Sequence, residues 1–102
     1  MIISSQRYLD QDTVSANIDR QDYEVTISPE FEIDGDTYQV VLDGHHAYHA
    51  ALAAGAEPLF VIADSSDNDT ICLLNEGMVD EFLAANHMDS DWYDIRTGRD
   101  IW

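Results

Sequence analysis

The sequence predicts an α+β domain, a small mixed sheet with two main helices, formed as one unit over residues 1–102. Three observations predict it. Two alternating apolar runs, Phe31-Glu32-Ile33 and Tyr38-Gln39-Val40-Val41-Leu42, flank Asp34-Gly35-Asp36. An alanine-rich stretch from His45 to Ala54 follows Asp43-Gly44 and stops at Gly55. Pro58 then leads into Leu59-Phe60-Val61-Ile62-Ala63, a continuous apolar run of strand length.

In chain order, Ile2 and Ile3 predict a short edge strand. Residues Gln6 to Asp22 are polar, with weak apolar spacing at Leu9, Val14 and Ile18, and read as a loop or one loose helical turn. Tyr23-Glu24-Val25-Thr26-Ile27 alternates with period two, as a strand with one buried face does. Asp-Gly between alternating runs is a strong hairpin signal, because glycine accepts the positive φ that a tight turn needs. Alanine favours helix, so His45–Ala54 is predicted helical, with Gly55 supplying the left-handed stop.

Further along, the run Leu59–Ala63 has no polar face, which predicts a central strand covered on both sides. Asp64 to Thr70 reads as an exposed acidic loop. It lacks the sixth-position glycine and distal glutamate of an EF-hand, which weakens a calcium reading. Ile71-Cys72-Leu73-Leu74 predicts a short strand. Asn75 predicts the cap of a helix from Glu76 to about Asn86, with Met78, Val79, Phe82 and Leu83 on one stripe. The tail from Trp92 to Trp102 predicts a terminal hairpin turning at Thr97-Gly98.

Charge is the extreme feature of the composition. Twenty-one acidic residues face four basic ones, for a formal net charge of -17, and 45% of residues are hydrophobic. That apolar content is too high for a disordered chain. A field of this sign repels nucleic acid and anionic membranes and attracts basic surfaces. The expected partner is therefore a basic protein surface, such as that of a nucleic-acid-binding protein, and neither nucleic acid nor membrane directly.

The lone cysteine, Cys72, excludes an intrachain disulfide and a Cys-based zinc site. Met1–Arg7 has no basic segment followed by an apolar run, so no signal peptide is predicted and the cytoplasm is the expected location.

The central stretch resembles the ParB N-terminal and sulfiredoxin superfamily. The resemblance rests on Gly44, His46, Tyr48, Ala50, Gly55, Pro58 and the strand Leu59–Ile62, with the preceding hairpin in the place that family gives it, and covers residues 23–63. It implies a glycine turn whose amides, at a helix N-terminus, reach a nucleotide phosphate while arginine supplies the opposing charge. This chain carries His45 where sulfiredoxins have the catalytic cysteine. Ala47 and His49 stand at arginine positions, and Asp43 is adjacent. The resemblance thus implies the fold without sulfiredoxin chemistry. A residual nucleotide site would use Gly44, His45, His46 and His49.

His45 and His49, four apart on one helical face, also have the spacing of two metal ligands, with Asp43 or His87 as a third. Against this stands a structural role in the turn. No HExxH motif and no neighbouring nucleophile is present, so no catalytic residue and no cofactor is assigned.

The acidity itself admits three readings: a solvated surface adapted to high salt, a docking domain for a basic assembly partner, or an imitation of DNA phosphates, as in phage-encoded or mobile-element inhibitors. Partner-binding candidates are Asp34 and Asp36, then Asp64, Asp67 and Asp69, then Asp89, Asp91 and Asp94. The function expected is a non-catalytic, acidic protein-binding module. The alternatives are a degenerate ParB-like nucleotide-binding domain and, more weakly, a His-based metal-dependent enzyme.

Overall fold

Strand β4 (Asp36–Asp43) is the spine of the sheet in the computed structural model, which describes residues Met1–Trp102. It leaves β3 (Phe31–Ile33) through Asp34 and Gly35, both at positive φ (52° and 86°), with Ile33 paired to Asp36. Two positive φ values give the turn the twist that suits adjoining strands, and the sequence signal for the hairpin is met.

β2 (Glu24–Ile27) lies antiparallel to β4 on the same side as β3. Thr26 pairs with Asp43 but Ile27 pairs with Val41, so Leu42 is an extra residue that bends the end of β4. Between β2 and β3 the chain passes Ser28-Pro29. Pro29 has no N–H to give the ladder. Ser28, fully buried, makes up the difference: its N–H donates to the Val40 carbonyl at 2.8 Å and its Oγ accepts the Val40 N–H at 2.9 Å.

The other strands are β1 (Ile2–Ser4), β5 (Leu59–Ile62) and β6 (Tyr93–Asp94), and the order across the sheet is β5-β2-β4-β1-β6. β1 runs parallel to β4 with Ile3 beside Val40, and β6 covers its outer side with Ile3 beside Asp94. The expected edge strand at Ile2–Ile3 is therefore an inner one, because the C-terminal hairpin returns to shield it. That hairpin forms, closed by Tyr93 bridging to Asp100 with Gly98 at φ 76°.

Four helices complete the α+β fold: α1 (Gln11–Arg20), α2 (His45–Ala54), α3 (Ile71–Asn75) and α4 (Val79–Ala85). α1 replaces the loop or single loose helical turn expected at Gln6–Asp22. It is started by Asp10, whose carboxylate accepts the Asp12 N–H at 3.1 Å and the Thr13 hydroxyl at 2.9 Å. It is stopped by left-handed Gln21. Its sequence signal is weak because only Val14 and Asn17 are fully buried.

α3 replaces the strand expected at Ile71–Leu74. A short apolar run reads equally well as a buried helical turn, and the Asn68 side chain favours that outcome by accepting the Thr70 N–H at 2.9 Å. Asn75 ends α3 instead of capping the next helix, and Gly77 at φ 77° delays α4 to Val79.

The two sheet faces carry separate cores. Ile3, Phe31, Tyr38 and Val40 pack with Ile71 of α3 and Phe82 of α4. Ile2, Val25, Ile27, Tyr93 and Ile95 pack with Tyr48 of α2. α1 lies against α2. β5 departs from expectation: it is an edge strand and is substantially exposed. No helix is long and apolar enough to cross a membrane.

Candidate functional site at the Gly44 turn

The bent end of β4 delivers the chain into Gly44, which adopts φ 94° at the N-cap of α2. A Cβ there would lie 2.5 Å from the Glu24 carbonyl oxygen and 2.9 Å from the Val25 Cα. Only glycine fits, for reasons of both backbone angle and space. The Asp43 carboxylate accepts the Gly44 N–H at 2.8 Å. α2 then presses Ala47, Tyr48, Ala50 and Ala51 inward, all buried, and its small alanines let the helix approach the sheet closely. Gly55, at φ 69°, closes it by donating to the Leu52 carbonyl at 3.2 Å, while the Ala56 N–H reaches Ala51 at 2.9 Å.

The three histidines of the turn behave differently. His46 Nε2 accepts the Asp10 N–H at 3.0 Å, tying the start of α1 to the start of α2. His45 is only 3% exposed, and neither of its ring nitrogens has a hydrogen-bond partner. Its ring meets that of His49 edge-on, 4.7 Å between centroids, and that of His46 at 5.7 Å. Burial is the main force on His45, and proximity to His49 and His46 adds to it. Together they push its pKa from 6.5 down to about 4, against a weaker pull from Asp89 and the Tyr8 carbonyl. Burial, then His46, lowers His49 as well.

His45 and His49 thus share a helical face, as their spacing requires. Asp43 is turned to the Gly44 amide, and His87 packs against Trp92. No group of three or more His, Cys, Asp or Glu side chains is placed to hold a metal ion.

A cavity of about 520 Å³ opens beside the turn, between α1, the ends of β1 and β4, and the first residues of α2. Its lining includes Gly44, His45 and His46, with Asp22, Glu24 and Asp43 as its carboxylates and no arginine. The first amides of a helix have no partner within it, which makes this a place for a hydrogen-bond acceptor. The carboxylates make it a poor place for an unaccompanied phosphate. Thr13, Asn17 and Asp22 come from α1 and the turn after it, so their part in the lining is invisible to a reading that has no helix there.

The acidic candidates fall in three separate stretches of the chain. Asp34 and Asp36 flank the hairpin turn at the end of β4 opposite Gly44, both exposed. Asp64 and Asp67 hold their own loop: Asp64 accepts the Ser66 N–H at 2.9 Å and Asp67 accepts the Asp64 N–H at 3.0 Å. The Ser66 hydroxyl foremost, then the Ser66 and Asp67 N–H groups, donate to the Asp64 carboxyl and hold it below its ordinary pKa. Asp69 and Asp91 are exposed. Asp89 braces the Arg7 N–H at 2.8 Å, and half-buried Asp94 accepts the Arg96 N–H at 2.9 Å. A single ion pair forms, Arg7 with Asp100 at 2.8 Å, so most of the negative charge is left without a counter-charge.

Comparison with known proteins finds no matching family model, no matching curated protein and no matching solved structure.

Proposed function

We propose that this domain is a non-catalytic acidic binding module that engages a basic protein surface, in its sharpest form a DNA mimic occupying a nucleic-acid-binding protein of the kind that phages and mobile elements antagonise. The observation that carries this reading is the net charge of -17 combined with a single internal ion pair. Carboxylates in three stretches of the chain, most of them exposed, supply a field that concentrates basic partners.

Immobilised on beads, the chain is expected to retain a DNA- or RNA-binding protein from a host lysate. Retention should fall steeply as salt shortens the Debye length from roughly 10 Å at 0.1 M to about 3 Å at 1 M, and duplex DNA should compete for the partner. Capture of no nucleic-acid-binding protein, or capture that DNA leaves untouched, removes the mimicry.

We also propose that the chain is a ParB- or sulfiredoxin-like domain with a degenerate phosphate turn. Its hairpin, glycine turn, helix, glycine and Pro58-led strand follow one another as that resemblance implies. The cavity at the start of α2 supports a second functional reading, in which Gly44, His45, His46 and His49 retain a nucleotide. Calorimetry with ATP, CTP and GTP in the presence of magnesium tests it. Neither heat nor a thermal shift with any of the three would remove this reading.

A further inference from the structure

β5 is the element whose surroundings fit its sequence least. Leu59 and Ile62 are each 60% exposed and Val61 is 39% exposed, although the strand has no polar residue. It ends the sheet and is hydrogen-bonded to β2 alone. The Leu59 N–H donates to Tyr23 and the Ala63 N–H to Ile27, both at 2.9 Å. Odd-numbered residues therefore face β2, and the period of two leaves the N–H and C=O of Phe60 and Ile62 directed away from the sheet.

The two faces of the strand are covered unequally. Phe60 packs against Tyr48 of α2, 6.3 Å between ring centroids. The opposite face opens into a groove of about 460 Å³ lined by the apolar Leu42, Val61 and Ala63, by Thr26 and Asn68, and by the carboxylates of Glu24, Asp43 and Asp67. No basic residue lines it. Apolar side chains and three carboxylates over β5, β2 and the end of β4 thus lie next to the unpaired ladder edge on the outer side of β5.

We infer that the free edge of β5 is the docking site for an extended basic segment of the partner protein, added as a further strand. Its inward side chains are apolar and fill the groove. Arginine or lysine residues flank them and meet Glu24, Asp43 and Asp67, while its backbone pairs with Phe60 and Ile62. A second copy of this chain fits badly, because symmetric pairing would bring two chains of charge -17, and two identical sets of groove carboxylates, together. The inference rests on the basic-partner reading above and names where that partner binds.

The experiment uses the whole chain and the eight-residue capped peptide Arg-Thr-Val-Thr-Val-Thr-Arg-Thr, whose valines and flanking arginines share one face of an extended strand, with binding followed by fluorescence anisotropy and NMR. One control peptide is N-methylated at the amides that would face β5. Another carries glutamate in place of arginine. The protein variant is Ile62→Pro, which removes an outward N–H while sparing the Leu59 and Ala63 bonds to β2.

The expected result is binding that shifts the resonances of β5 and of the groove. It should weaken at least tenfold for the N-methylated peptide and for Ile62→Pro, and vanish for the glutamate peptide. Equal binding of the methylated and parent peptides overturns the strand docking but leaves the acidic-module reading standing. Indifference to salt and to peptide charge overturns that broader reading. A dimer in light scattering that Ile62→Pro dissociates overturns the inference in favour of a second copy. Should Ile62→Pro not fold, the methylated peptide on the unmodified chain decides the matter alone.

Discussion

Gly44→Ala is expected to lower the stability of the domain by about 2–5 kcal/mol, combining the strain of a left-handed alanine with forced overpacking. Two separate obstacles meet at this atom. The backbone sits at φ 94°, where a Cβ crowds its own carbonyl, and the added carbon would lie 2.5 Å from the Glu24 oxygen. No rotamer relieves either, since the neighbours are backbone atoms of β2. The internal control is Gly35→Ala, at φ 86° with nothing within 4 Å of the new carbon, which isolates the backbone contribution. Urea unfolding of the two variants should show a midpoint loss for Gly44→Ala at least twice that of Gly35→Ala. Since a domain of this size has only about 5–15 kcal/mol in total, failure to fold is within the expected range. Equal midpoints for the two variants would show that β2 yields, and that the close approach at the turn is not a constraint.

That turn was legible because its signals are local. Asp34-Gly35 between alternating strands, and Gly44 and Gly55 bracketing alanines, each act within a few residues of themselves, and the hairpin and α2 form where those signals place them. The misplaced elements depend on distant pairing partners or on local turns whose signals are ambiguous. Ile2 and Ile3 become an inner strand only because Tyr93 and Asp94 return to pair with them. α1 buries so little that its identity rests on the Asp10 cap and on packing against α2. Ile71–Leu74 suits a strand by composition, but Gly77 and the Asn68 turn before it make it helical.

The candidate site divides in the same way. The Asp43-Gly44-His45 corner was readable, whereas the cavity beside it needs Thr13, Asn17 and Asp22 from a helix with almost no sequence signal. The exposed apolar edge of β5 is a different case. There the structure overturns the expectation of a central, covered strand, and the cover we propose is another protein.

Between pH 7.5 and 4.5 the domain is expected to lose about 2–3 kcal/mol of stability through His45. The ring has an ordinary pKa near 6.5 in the unfolded chain and about 4 in the folded one, because burial removes water from the cation and the nearby Asp89 and Tyr8 carbonyl offset that only in part. Above pH 6.5 the ring is neutral in both states and titration costs nothing. Below it the unfolded chain binds a proton that the folded chain refuses, so stability falls progressively until pH reaches about 4. His49, shifted the same way, steepens the fall. The carboxyls of Asp10 and Asp64, held below their ordinary value by hydrogen bonds, act in the same direction but only at lower pH. Urea midpoints measured at half-unit steps across this range should slope downward for the native chain, and most of that slope should disappear in His45→Gln. A flat profile for the native chain, or an unchanged slope in the variant, would mean that water or a carboxylate reaches the ring on protonation. The His45 corner would then be an open polar site in place of the sealed joint that locks α2 to the end of β4.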